Sequence, residues 1–207
     1  MSGNLFHEKL EYLSEEQIIK MANNLVIRDH TLLKHYPLLI SFSERNLANR
    51  DLTTIMGLAH MIYGWMPTML NRGNVGQYSN NELVDKIWEN ISTGALDKNF
   101  IEHLIGFVNY SIIGASKLLH FCNPNSYAIY DSNAYATIKG RKAYNHSEID
   151  DISKYIAYME KLKALSKNAE FIQGLKNVLV TKKVDVNISD IRCIEMCLFY
   201  TNKEKKT

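Results

Sequence analysis

The sequence predicts an all-α protein, and three observations carry that prediction. Apolar residues recur at three- and four-residue spacing along most of the chain, and each run follows a Ser or Asp of the kind that caps helices. Only one short β-like run stands out, Val178-Leu179-Val180-Thr181. With 10 Gly and 3 Pro in 207 residues, turn formers are too sparse for a barrel or sandwich. Hydrophobic residues at 46% and charged residues at 22% are those of an ordinary folded chain, neither disordered nor fibrous.

The elements follow from capping chemistry. Ser14 with Gln17 is a capping-box pair ahead of Ile18, Met21 and Leu25. Asp51 caps a run through Leu52, Ile55, Met56, Ala59 and Ile62. Gly57 and Gly64 sit seven apart on that run, a spacing that predicts a close neighbouring helix, and Pro67 limits it. The stretch Asn71-Arg72-Gly73-Asn74-Val75-Gly76 is the clearest loop. Ser79 with Glu82 forms a second capping box, before Leu83, Val84, Ile87, Trp88 and Ile91. Asp97 precedes Phe100, Ile101, Leu104, Ile105 and Val108. Ser147 precedes Ile149, Ile152, Ile156, Met159 and Leu162, and Ser189 precedes Ile191, Ile194 and Leu198. About nine or ten helices of average length result. With no long linker, residues 1–207 read as one all-α domain of two lobes sharing a cleft. Lobe A is about 1–75 plus 146–207, and lobe B about 76–145.

Net charge is +2, unevenly spread. Residues 1–110 carry 9 Lys+Arg against 12 Asp+Glu, and residues 111–207 carry 15 against 10. A basic second half suits a phosphate-rich partner, although part of the excess lies in the terminal Lys203-Glu204-Lys205-Lys206. Cys122, Cys193 and Cys197 form no CxxC pair, which argues against a disulfide framework or zinc knuckle. No apolar run is long enough to span a membrane, and Met1 to Leu10 lacks the pattern of a secretory leader. A cytoplasmic setting is expected. The 7 His show no metal-ligand spacing, and there is no P-loop, GxGxxG or GxSxG, so no metal or cofactor is expected.

Residues 109–142, NYSIIGASKLLHFCNPNSYAIYDSNAYATIKGRK, are the stretch most able to carry chemistry. Gly114 stands before a helix that runs to Phe121, and Asn123-Pro124-Asn125 ends it. A short extended piece, Ser126 to Tyr130, then delivers Asp131 to the start of a helix from Ser132 to Ile138. Ser116-Lys117, Leu119-His120-Phe121, Pro124, Tyr127, Ile129 and Asp131 resemble the helix-hairpin-helix DNA glycosylase superfamily. Its divergent branch with an 8-oxoguanine DNA glycosylase-like fold is the most similar. The resemblance spans residues 109–138, with an echo at Arg192 and Glu195-Met196. Ile112 occupies the place of the first hairpin glycine, and Lys117 follows Gly114 by three positions where lyases of the family have two.

The resemblance implies a two-lobed glycosylase-like fold that binds DNA and excises a modified base by N-glycosidic cleavage. Asp131 would stabilise positive charge developing on the sugar, or would simply cap a helix. Lys117 would be a desolvated nucleophile forming a Schiff base, or a surface lysine. Gly114, Ser116 and the amides beside them would hold a phosphate, with Lys139, Arg141 and Lys142 reaching the flanking backbone. Tyr127, Tyr130, Tyr135 and His120 would form a base pocket or pack in the core. Two alternatives stay open. One is a non-catalytic DNA- or protein-binding module on the same fold. The other is a helical adaptor docking through the Met-rich segment from Met56 to Met69.

Overall fold

Helix starts in this chain are written by short polar side chains. The computed structural model describes residues 2–28, 30–66, 68–71 and 79–203. Among them are eleven α-helices and no strand: α1 (Ser2–Glu11), α2 (Glu15–Asn23), α3 (Thr31–Asn46), α4 (Leu52–Trp65), α5 (Asn80–Thr93), α6 (Lys98–Phe107), α7 (Ile112–Cys122), α8 (Ser132–Lys139), α9 (Ile152–Leu165), α10 (Ala169–Thr181) and α11 (Asp190–Lys203). Both capping boxes form, Ser14 with Gln17 and Ser79 with Glu82. Asp51, Asp97 and Asp131 each accept a hydrogen bond from amides in the first turn of α4, α6 and α8. Each such cap contributes roughly 1 kcal/mol.

Several sequence expectations are corrected. Val178 to Thr181 is the last turn of α10, because tertiary packing of Leu179 on a helical face outweighs β propensity. Gly57 and Gly64 meet no neighbour within 4 Å, so no close helix explains them. The helix expected after Ser147 starts later: residues 146–148 form a 3₁₀ turn, and Asp151 caps α9. Helix α7 starts two residues before Gly114, at the Ser111 cap, which leaves Gly114 inside the helix. Pro67, the loop at 72–76 and the tail at 204–206 lie outside the described residues.

Packing divides the helices into two sets. Helices α3, α4, α5 and α6 gather around α7 or one another, while α1, α2, α8, α9, α10 and α11 pack together, with α6 against α9 joining the sets. Helices α3 and α4 sit with α7 because Tyr63 of α4 packs over Gly114 and donates to Val108 O at 2.9 Å. Helix α8 sits with the terminal helices, where Thr137 Oγ1 donates to Leu198 O at 2.7 Å. Helices α6 and α7 meet at 104°. Their connection turns on Asn109 and Tyr110, both in the left-handed region, with φ of 58° and 53°. Asn109 also reaches the chain beyond α4, donating from Nδ2 to Met69 O at 2.8 Å. No single described helix is long and apolar enough to cross a membrane.

Candidate functional site

Between α7 and α8, a turn at residues 124–126 leads into a buried irregular stretch, residues 127–131, with no partner strand among the described residues to satisfy its backbone. Side chains replace the missing ladder, as buried peptide groups require. Ser116 Oγ accepts from Tyr130 N at 3.1 Å and offers its hydrogen to Ile113 O or Tyr130 O. His120 Nδ1 faces Tyr127 O at 2.6 Å, so that nitrogen carries the proton, and Nε2 accepts from Tyr36 OH at 2.8 Å. Burial first, and the Arg192 charge second, push His120 down to about 3, so it stays neutral. Tyr158 OH donates to Ile129 O at 3.1 Å. This frame fixes where the segment ends, and it ends at Asp131.

Asp131 caps α8 with one oxygen only. Oδ1 accepts from Asn133 N and Ala134 N, both at 2.9 Å, while Oδ2 makes no hydrogen bond to the described residues. The carboxylate is 8% exposed and lines a small cavity of about 90 Å³. Lys117 lines the same cavity from α7. Its ammonium lies 5.5 Å from the Trp65 ring centre, with no carboxylate within 4 Å among the described residues. Burial lowers the Lys117 pKa, Asp131 opposes that shift and Arg192 adds to it. Capping and pocket roles therefore coexist in Asp131, and Lys117 is a partly desolvated amine rather than a surface lysine.

Helix α11 closes the cavity with Arg192 and Glu195, an i, i+3 ion pair buried to 6% and 0% exposure. Arg192 also stacks 4.7 Å from the Tyr36 ring centre. Arg192 Nε, Glu195 Oε1 and Trp65 Nε1 are buried and find no hydrogen-bond partner among the described residues, although all three residues line this cavity. Unmatched buried donors and acceptors are costly, and three of them meet at this cavity. Phe199 and Tyr200 supply aromatic surface. The signal for this wall was two opposite charges inside the apolar run from Ile191 to Leu198.

The remaining sequence-derived site residues are elsewhere. Tyr127 and Tyr130 are fully buried and outside the cavity, as is His120, so they are core residues and not a base pocket. Tyr127 OH donates to Asn90 O or Ala95 O, and Tyr130 packs among Phe6, Tyr155 and Tyr158. Tyr135 stacks on Phe6 at 5.3 Å and donates to Glu148. Ser116 is fully buried and cannot meet a phosphate. Gly114 N donates to Ser111 Oγ, so that amide is already used, and the glycine serves the close approach of Tyr63. Lys139 is 3% exposed and 3.8 Å from Glu148, while Arg141 pairs with Glu148 at 2.6 Å. Arg141 and its neighbours hold Glu148 down at about 2, and of the expected basic cluster only Lys142 is exposed. No group of His, Cys, Asp and Glu among the described residues has the geometry of a metal site. The search against known proteins found no matching family model, curated protein or solved structure.

Proposed function

We propose that this chain is a DNA-binding protein of glycosylase-like fold that cleaves an N-glycosidic bond, with Lys117 as nucleophile and Asp131 as its electrostatic partner. The observation that carries the reading is the convergence of those two side chains, one from α7 and one from the start of α8, on one cavity. A two-lobed architecture would account for α7 and α8 packing with different partners, and the α6–α7 turn at Asn109 and Tyr110, ahead of Ile112 and Gly114, agrees with a hairpin. In the reaction, Lys117 Nζ bonds to the sugar C1′ while the C1′–N bond breaks and the base leaves with its electron pair. The amine sheds a proton, and Asp131 Oδ2 faces the positive charge on the sugar. Three free thiols suit the reducing cytoplasm in which such an enzyme would meet DNA.

Borohydride tests the reading. Wild-type protein mixed with an oligonucleotide bearing one abasic site should be trapped as a covalent complex, and Lys117→Ala should abolish trapping without unfolding. Trapping that persists in Lys117→Ala moves the nucleophile elsewhere. No trapping and no base release by the wild type sinks the proposal. A second reading, a non-catalytic binding module on the same fold, draws on one observation. At about 90 Å³ the cavity is well below the roughly 300 Å³ of ordinary ligand pockets.

A further inference from the structure

A larger cavity lies beside the one described above. A groove of about 720 Å³ runs between α1, α2, α8 and α11 and shares Tyr200 with the Lys117–Asp131 cavity. Lys9, Lys20 and Arg28 line it, and no carboxylate does among the described residues. Lys9 is tethered there by a 3.0 Å bond from Nζ to Lys139 O, at the C-terminal end of α8. Between these cations the lining is mostly apolar and aromatic, with Gln17, Asn24, Thr137 and Thr201 among it. Tyr12 is 78% exposed and Val26 59%, with Met21 and Ile138 beside them.

We propose that this groove binds a single DNA strand next to the Lys117–Asp131 cavity. The inference rests on the function proposed above for that cavity. Cations interleaved with an exposed aromatic ring suit a strand whose phosphates meet the charges and whose unstacked bases lie on Tyr12 and the apolar floor. A duplex keeps its base faces hidden, and it would leave that floor against sugars and water. Tyr200, 1% exposed, is a buried wall common to the groove and the cavity. The sequence-expected phosphate contacts at Lys139 and Arg141 are tied to Glu148, whereas Lys20, on the exposed side of α2, carries no ion pair among the described residues.

Fluorescence anisotropy on the full chain tests this, with a labelled thymidine oligonucleotide of about a dozen residues, alone and annealed to its complement. The single strand should bind about tenfold more tightly than the duplex, and the salt dependence should have a slope near −0.7 per phosphate contact. Lys20→Glu with Arg28→Glu should weaken strand binding about tenfold and flatten that slope. Tyr12→Ala, a substitution at a highly exposed site, should weaken it about fivefold or more, the loss of one base-stacking contact. Equal affinity in these variants, tighter binding of the duplex, or competition by thymidine monophosphate at equal nucleotide concentration overturns the proposal. The two readings fail separately. Groove-sensitive strand binding without borohydride trapping leaves the groove and removes the chemistry. Trapping in a protein whose groove variants bind normally removes the groove alone.

Discussion

Asp131→Asn separates the two duties of one carboxylate. Oδ1 receives both capping amides, and an Asn carbonyl in that place receives them equally well. Asn and Asp rank together as N-caps, so the local cost is the lost attraction of a charge to the helix dipole, about 0.3–1 kcal/mol. Alanine would remove both bonds and cost about 0.5–2 kcal/mol, which confounds folding with chemistry. The pocket-facing Oδ2 becomes an amide NH₂, and the negative charge beside the reacting sugar is gone. Losing such an electrostatic stabiliser costs about 3–4 kcal/mol of transition-state energy, or roughly 10²–10³ in rate. The change also acts on Lys117. Asp131 holds the lysine pKa up against burial, so in the Asn variant that pKa should drop further. Single-turnover trapping across pH reads both effects. The plateau rate should drop by the factor above while the pH midpoint shifts downward. Thermal unfolding should stay near wild type. A variant with the wild-type plateau and midpoint would make Asp131 a cap and nothing more.

Two further outcomes follow from the core. A Cβ at Gly114 would overlap the Tyr63 hydroxyl and stand 3.1 Å from its Cζ. Gly114→Ala should therefore destabilise by about 1–3 kcal/mol despite a helix-propensity gain of about 1 kcal/mol, and a Tyr63→Phe background should recover much of the loss in urea unfolding. A neutral Gly114→Ala would show that the helices are not in close contact there. His120 is held neutral down to about 3, whereas an unfolded imidazole takes up its proton near 6.5. The unfolded state binds more protons in between. The stability from the neutral ring is thus complete above pH 6.5 and declines as pH drops, by about 2 kcal/mol at pH 5. That window lies above the pH at which Glu148, held near 2, begins to matter. His120→Gln should flatten the slope between pH 6.5 and 5, and an unchanged slope refutes the assignment.

Local chemistry was legible in the chain, and the reasons are short-range. A cap joins atoms two or three residues apart, so Ser14, Asp51, Ser79, Asp97, Asp131 and Ser189 announce helix starts with no knowledge of the rest of the fold. Helix α3 escaped notice because His30 makes no side-chain cap and Pro37 sits inside it. The start of α7 was misplaced because Gly114 suggests a turn, whereas its true use is to admit Tyr63 from a helix 51 positions upstream.

Periodicity and capping by themselves determined an all-helical chain with Asp131 at a helix start. Only the tertiary structure decided which polar residues face a cavity. Ser116, Tyr127, Tyr130, His120 and Lys139 are as polar on paper as Lys117, yet they are buried, the first four in the frame behind Asp131 and Lys139 beside Glu148. The cavity is assembled from α3, α4, α7, α8 and α11, and no spacing along the sequence encodes that meeting. A one-residue step turns a helical side chain by about 100°, so adjacent Ser116 and Lys117 part company, one into the core and the other into the cavity. Which of the two directions is interior depends on the helix packed against it, and that is a property of the whole fold.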